Sequence, residues 1–428
     1  MDPKSKSLLI RISQIELDAI IKKHVMYRLA HVGGARAILA KHDLSLLDLR
    51  NYDLSHADLT GVSLNSSDAR NAVFNYCNLF GADLRFCNLQ GANMTRADLR
   101  GACMRGAILI GANMEGADLR EGILASTDST GNIMQIHNNL PPSESGGADL
   151  SGANLSEAKL SGAIAAGTNF SDATMRNCKI VRANLDGSDF SGANLEGADL
   201  SQCNLNGVNM RGALLANALL NIAGLEQANL AGALTNAPVG RTIRDLPESL
   251  EDLLRRHQTW VNTDGSLGAQ LDISGYDMRG TKLLSATRLS LLKANRAILY
   301  GLNFNDSQLQ AASFREADMR YISAQRADMR GTDASGAQMT NIDLRNARFD
   351  PLVSTQGKVI LSSLAGANLR YANLAEASLR QAKLDDADLS YSNLLGADLT
   401  GTSLKNTNLT GARVNESQQA IIDRFKQQ

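Results

Sequence analysis

Residues 81–100 read Gly81-Ala82-Asp83-Leu84-Arg85, Phe86-Cys87-Asn88-Leu89-Gln90, Gly91-Ala92-Asn93-Met94-Thr95, Arg96-Ala97-Asp98-Leu99-Arg100. An apolar residue returns every five positions, and a small residue stands two places before it. Asp or Asn lies between the two. A period of five fits neither a helix (about 3.6) nor a flat strand (about 2). It fits a coil with a corner every five residues, so that four sides make a turn of about 20 residues. The Leu and the small residue point to a narrow axis. Asp/Asn and the two variable residues point outward, and Gly, Ser, Asn and Asp suit the tight corners.

The frame extends in both directions. The first block runs from Leu44 to Leu124, and the second from Leu150 through Leu185, Phe190 and Leu195 to Leu230. Leu124 and Leu150 are 26 positions apart, one residue out of phase. Residues 126–147 (STDSTGNIMQIHNNLPPSESGG) are therefore expected to hold a break or an extruded loop. The third block runs from Leu284 to Val414. Within it, residues 351–363 stay in frame, because Phe349 and Leu364 are 15 apart. That stretch reads as a degenerate coil rather than an insertion.

On these residues the chain resembles the pentapeptide-repeat family over most of its length. The resemblance implies a right-handed, four-sided β-helix; the period alone gives a regular coil without its hand. The expected fold is an all-β solenoid: two tandem right-handed quadrilateral β-helices with short helical N-terminal caps and a C-terminal helix.

The two caps come from an internal duplication. Leu17, Ile20, Ile21, His24 and Tyr27 match Leu250, Leu253, Leu254, His257 and Trp260, each pair offset by 233. Their spacing is helical, and Ser13 with Glu16 forms a capping-box pattern. A solenoid end exposes an unpaired edge, which native proteins cover. The organisation is read as a helical cap at 1–43, a first solenoid at 44–237, a second cap at 238–272, a second solenoid at 273–415, and a terminal helix at 416–428. That helix, with Ile421, Ile422 and Phe425, is expected to close the far end or to pair two copies as a homodimer.

The 43 basic and 44 acidic residues nearly cancel, which argues against a nucleic-acid partner for the whole protein. Charge is uneven: residues 1–41 hold 8 basic and 3 acidic residues, and residues 42–235 hold 12 and 20. No run approaches the roughly 18 apolar residues of a membrane helix, and the first residues do not read as a secretory signal. No membrane insertion and a cytoplasmic location are expected.

No catalytic constellation stands out. The six His lack metal-ligand spacing, and Cys77, Cys87, Cys178 and Cys203 take the small inward slot. No cofactor is expected. His24, Tyr27, His257 and Trp260 read as cap residues, the His pair packing on the first coil. Outward positions are where recognition can reside. Arg330 and Arg370 are expected to share a row, with Tyr371 and Tyr391 stacking beside them, and Arg320 and Arg380 to share the neighbouring face. Arg and Tyr are enriched at binding hot spots. Tyr76, Phe80 and Phe86 form a second candidate within one coil. The reading is a non-catalytic protein–protein scaffold with unidentified protein partners. The alternative is a DNA mimic, because some members of the family resemble duplex DNA in size and charge, bind DNA gyrase and confer quinolone resistance.

Overall fold

A computed structural model describes residues 9–123, 147–220, 225, 227–282, 284–354 and 356–426. Its coils are held by parallel bridges between residues 20 apart. One ladder runs Asp58, Asn78, Asp98, Asp118, and three others run beside it through Ser63–Asp83, Asp68–Asn88 and Val73–Asn93. Four ladders per turn make the coil four-sided. Leu84 and Ala82 are buried, as are most of their equivalents, while most variable positions are half-buried or exposed.

The Asp/Asn of each repeat has a local task. Its Oδ1 accepts the backbone N–H two residues on, as in Ser151 to Asp149 (3.0 Å) and Thr400 to Asp398 (2.9 Å). This side-chain turn fixes the corner. The residue after it takes a left-handed backbone, with φ of 63° at Gly81 and 55° at Phe86. Glycine meets that demand without strain, so the non-glycine corners are the informative ones.

The chain forms two compact units, Met1–Ala237 and Pro238–Gln428, each with its own continuous core. In the first unit a short strand, β1 (Ile10–Arg11), pairs in parallel with β2 (His42–Asp43). Helix α1 (Gln14–Arg28) follows, started by a reciprocal capping box between Ser13 and Glu16. It buries Leu17, Ile21 and His24 on the first coil. The Gln14 amide also bonds both the N–H and the carbonyl of Asp48, at 2.9 Å each, so a side chain stands in for a missing strand partner.

The second unit repeats this plan. Strand β3 (Arg241–Thr242) pairs in parallel with β4 (Tyr276–Asp277), and helix α2 (Leu250–Asn262) buries Leu254 and His257. At its other end, helix α3 (Glu416–Lys426) buries Ile422 and Gln418, whose amide donates to the Leu394 and Ala397 carbonyls. Ile421 is also packed against this core.

Two interruptions differ in kind. The expected loop at 126–147 lies, but for Gly147, outside the described residues. Its flanks stack directly on each other: Ile108 bridges Asp149 and Ile123 bridges Ile164, a step of 41 residues in place of 20. Gly147 marks the re-entry, where a Cβ would run into the Gly167 carbonyl. The stretch at 351–363 corrects the sequence reading. Bridges across it step by 30 (Asp333 to Ser363, Arg348 to Ser378), so ten residues are inserted between stacked coils. They form an antiparallel hairpin, β5 (Leu352–Val353) with β6 (Val359–Ile360). Ten is a multiple of five, so the insertion leaves the frame intact and hides from it.

Candidate recognition surfaces

The inserted hairpin changes which outward residues share a face. Ten residues are two of the four sides, so every position after the hairpin turns to the opposite face relative to a count by twenties. The bridge series runs Ile298, Asp318, Gln338, Asn368, Asp388, Asn408. Two residues after these stand Tyr300, Arg320, Thr340, Arg370 and Ser390, all buried but Arg370, with the half-buried Tyr321, Tyr371 and Tyr391 at the corners. Arg370 therefore shares its face with Arg320, not with Arg330. Arg330 and Arg380 share the opposite face, through the series Asp328, Arg348, Ser378, Asp398. Both pairings expected from the sequence are thus exchanged.

The corrected face joins two aromatic groups. Tyr371 and Tyr391 stack with centroids 5.4 Å apart and planes 9° from parallel, and the Arg370 guanidinium lies over Tyr371 at 5.4 Å. One coil before Thr340, Arg320 lies 5.6 Å from the Tyr300 ring, which packs 5.3 Å from Tyr321. Tyr300 and Tyr321 escaped the sequence reading; a spacing of 20 from Arg320 to Tyr300 was the signal. Arg320 is nearly buried and holds Asp318 through two bonds, 2.7 and 2.8 Å. Burial works against its charge, but the bonds and charge of Asp318 outweigh it and hold its pKa above the ordinary value. Arg320 is thus a fixed platform, and stacked guanidinium–ring pairs such as Arg370 over Tyr371 keep little rotamer freedom to lose on binding.

On the opposite face Arg330 is clamped by Asp328 (2.7 Å), and Arg380 sits 3.8 Å from Asp398. The hairpin rests there: a Cβ on Gly331 would meet Leu352 at 3.0 Å and Ile360 at 3.2 Å. The same Asp-to-Arg clamp, two residues apart, recurs at Asp48–Arg50, Asp68–Arg70, Asp83–Arg85, Asp98–Arg100 and Asp118–Arg120.

In the first unit, Tyr76 and Phe80 stand at the two ends of one side, and Phe86 stands at the next corner but one. Each leans along the stack. Tyr76 pairs with His56 at 5.0 Å, Arg100 lies over Phe80 at 5.5 Å, and Phe86 covers Gly106, where a Cβ would lie 2.6 Å from its ring. All three stay about half exposed or more.

The cap residues pair within each cap. His24 stacks on Tyr27 at 6.2 Å, and His257 on Trp260 at 6.0 Å. His24 Nδ1 accepts the Ala37 N–H (3.1 Å), which leaves Nε2 to donate to the Ser55 carbonyl (3.1 Å). His257 Nδ1 accepts the Leu271 N–H (3.0 Å); its Nε2 faces the Ser290 carbonyl but has no partner within hydrogen-bond distance. Burial lowers both imidazole pKa values, so both rings work as neutral latches.

Chemistry elsewhere is muted. Burial pushes the thiols of Cys77, Cys87 and Cys178 up to about 12 and that of Cys203 to about 11, which suppresses the reactive thiolate. Among the described residues no group of His, Cys, Asp and Glu is placed to hold a metal ion. No described helix is long and apolar enough to cross a membrane.

Comparison with known families decides the class. The pentapeptide-repeat model matches eight stretches: 37–75, 77–116, 104–128, 146–180, 183–221, 312–350, 362–394 and 382–417. The chain belongs to the pentapeptide-repeat family. Pentapeptide-repeat proteins adopt a right-handed β-helix, which supplies the hand of the coil described above. Members are in general structural or interaction proteins. Three solved structures show the likeness. QnrB1, a plasmid-mediated fluoroquinolone resistance protein, is 20% identical over 44% of this chain and 89% of its own, with a TM-score of 0.25. HetL, a pentapeptide-repeat protein involved in heterocyst differentiation regulation in the cyanobacterium Nostoc, is 22% identical over 72% and 91%, at 0.14. A pentapeptide-repeat protein of the Arabidopsis thaliana thylakoid lumen is 26% identical over 26% and 71%, at 0.15. Among curated proteins nothing matches the chain.

Proposed function

We propose that the protein is a non-catalytic scaffold of the cytoplasm, built as two separately capped β-helices in tandem, that binds other proteins through its flat outer faces. The observation that carries this reading is the tyrosine–arginine face of the second unit. It sets Tyr321 beside the nearly buried Arg320 and, beyond the intervening coil of Thr340, places Arg370, Tyr371 and Tyr391 on two successive coils, with Tyr371 and Tyr391 stacked. Rigid aromatic and arginine anchors are the material of binding hot spots, and a solenoid offers them on a surface that needs no pocket. The triple variant R370A/Y371A/Y391A is expected to lose the partners that the full chain captures from its native cells, while R330A/R380A on the opposite face keeps them. Retention of every partner by the triple variant refutes this face.

The DNA-mimic reading draws on the acidic excess of residues 42–235. Against it, the whole chain is close to neutral, with 43 basic and 44 acidic residues, and five of the aspartates there are each paired with an arginine two residues on, which breaks the acidic run into separate patches. A gyrase supercoiling assay separates the two readings: the scaffold reading expects neither inhibition nor protection by micromolar protein.

A further inference from the structure

The two cap helices are alike on their inner sides and opposite on their outer sides. Leu17, Ile21 and His24 of α1 correspond to Leu250, Leu254 and His257 of α2, and the inner sets pack on their own coils. The outer side of α1 carries Ile15, Ala19, Lys22, Met26 and Leu29, with Val32 just beyond. The same offset of 233 places Asp252, Arg255, Thr259 and Asn262 on α2, with Glu248 just before it and Gly265 just beyond. Each apolar residue has become polar or glycine, and only the basic position is kept. Ile15 is 81% exposed, Leu29 60% and Val32 97%. Because α2 docks without such residues, they are not what holds a cap in place.

Their spacing is specific. Positions 15, 19, 22, 26 and 29 alternate steps of four and three, the seam of a coiled-coil heptad. So narrow a stripe suits one helix; a bilayer takes a broader apolar face. Lys22 stands at the midpoint of the seam, with Lys23 beside it. In a symmetric antiparallel pair of α1 helices Lys22 would meet its own copy, a like-charge contact inside an apolar seam. A carboxylate in that place instead fixes the register. The surrounding 8 basic against 3 acidic residues in 1–41 favour the same choice.

We propose that the outer face of α1 docks an amphipathic helix of another protein, apolar at its heptad positions and carrying a carboxylate opposite Lys22. This site is independent of the tyrosine–arginine face, so R370A/Y371A/Y391A is expected to leave it intact.

The test uses the full chain and two synthetic heptad peptides with leucine seams. They differ only in glutamate or lysine at and around the position facing Lys22, and binding is read by fluorescence anisotropy. The glutamate peptide is expected to bind at least about tenfold more tightly, and Lys22→Glu to reverse the preference. Ile15→Glu with Leu29→Asn, which copies α2, is expected to abolish binding with an unchanged melting temperature. If that double variant melts early, the Lys22→Glu reversal decides. Equal affinity for both peptides, or no binding of the glutamate peptide, overturns the proposal. So does self-association in sedimentation that Ile15→Glu abolishes, or flotation with phosphatidylglycerol vesicles that depends on Ile15 and Leu29.

Discussion

Helix α1 and helix α2 each cover an open coil end, and the details they share are the ones that covering requires. Both are preceded by a two-residue strand that adds to the first coil. Both lay a leucine and a histidine of the inner face on it, and both stack an aromatic ring three residues after that histidine. They differ in how fully the histidine is bonded and in what the outer side shows to solvent. The inner side is constrained by packing and by backbone groups that need partners; the outer side is free to vary with what binds there.

The largest expected effect strikes both caps alike. Leu17→Asp and Leu254→Asp each place a charge on the coil end and are expected to cost about 4 kcal/mol or more, read by denaturant unfolding. If Leu254→Asp behaves as a surface change, the two caps are not equivalent. The next effect separates them. His24→Phe strips partners from the Ala37 N–H and the Ser55 carbonyl, whereas His257→Phe strips one from the Leu271 N–H. At about 1–3 kcal/mol for each bared group, the first substitution is expected to cost roughly twice the second; equal costs would deny the difference in bonding.

Acid tests both latches together. Each histidine has its pKa lowered in the fold, chiefly by burial, so the unfolded chain takes up the proton first. Stability is then full above the unfolded value of about 6.5 and falls as pH drops below it toward the folded value. At His24 the nearby Asp53 opposes burial, and Arg28 and Arg36 reinforce it. Proteolysis at the caps is expected to speed up below pH 6.5 in the wild type, and much less in His24→Gln/His257→Gln. A flat wild-type profile contradicts the latch. Smallest of all, Ile15→Glu and Glu248→Ile are each expected to move stability by less than about 0.5 kcal/mol.

Much of the coil could be read from its period. Leu84, Leu195 and their equivalents are buried where the five-residue frame puts them. The short strands at Ile10 and Arg241 could not be read, because two residues carry no periodicity. The hairpin at 352–360 was hidden because its ten inserted residues preserve the frame, and with it went the assignment of faces. Arg330 and Arg370 look aligned by arithmetic and lie on opposite faces. Tyr371 and Tyr391, both beyond the hairpin, keep their spacing of 20 and their stacking.

The most direct measurement is hydrogen–deuterium exchange on the full chain with and without a partner it captures. The account predicts added protection at 318–321, 368–371 and 388–391, along the tyrosine–arginine face. Protection at 328–331 and 378–381 instead, or no change in the second unit, would contradict it.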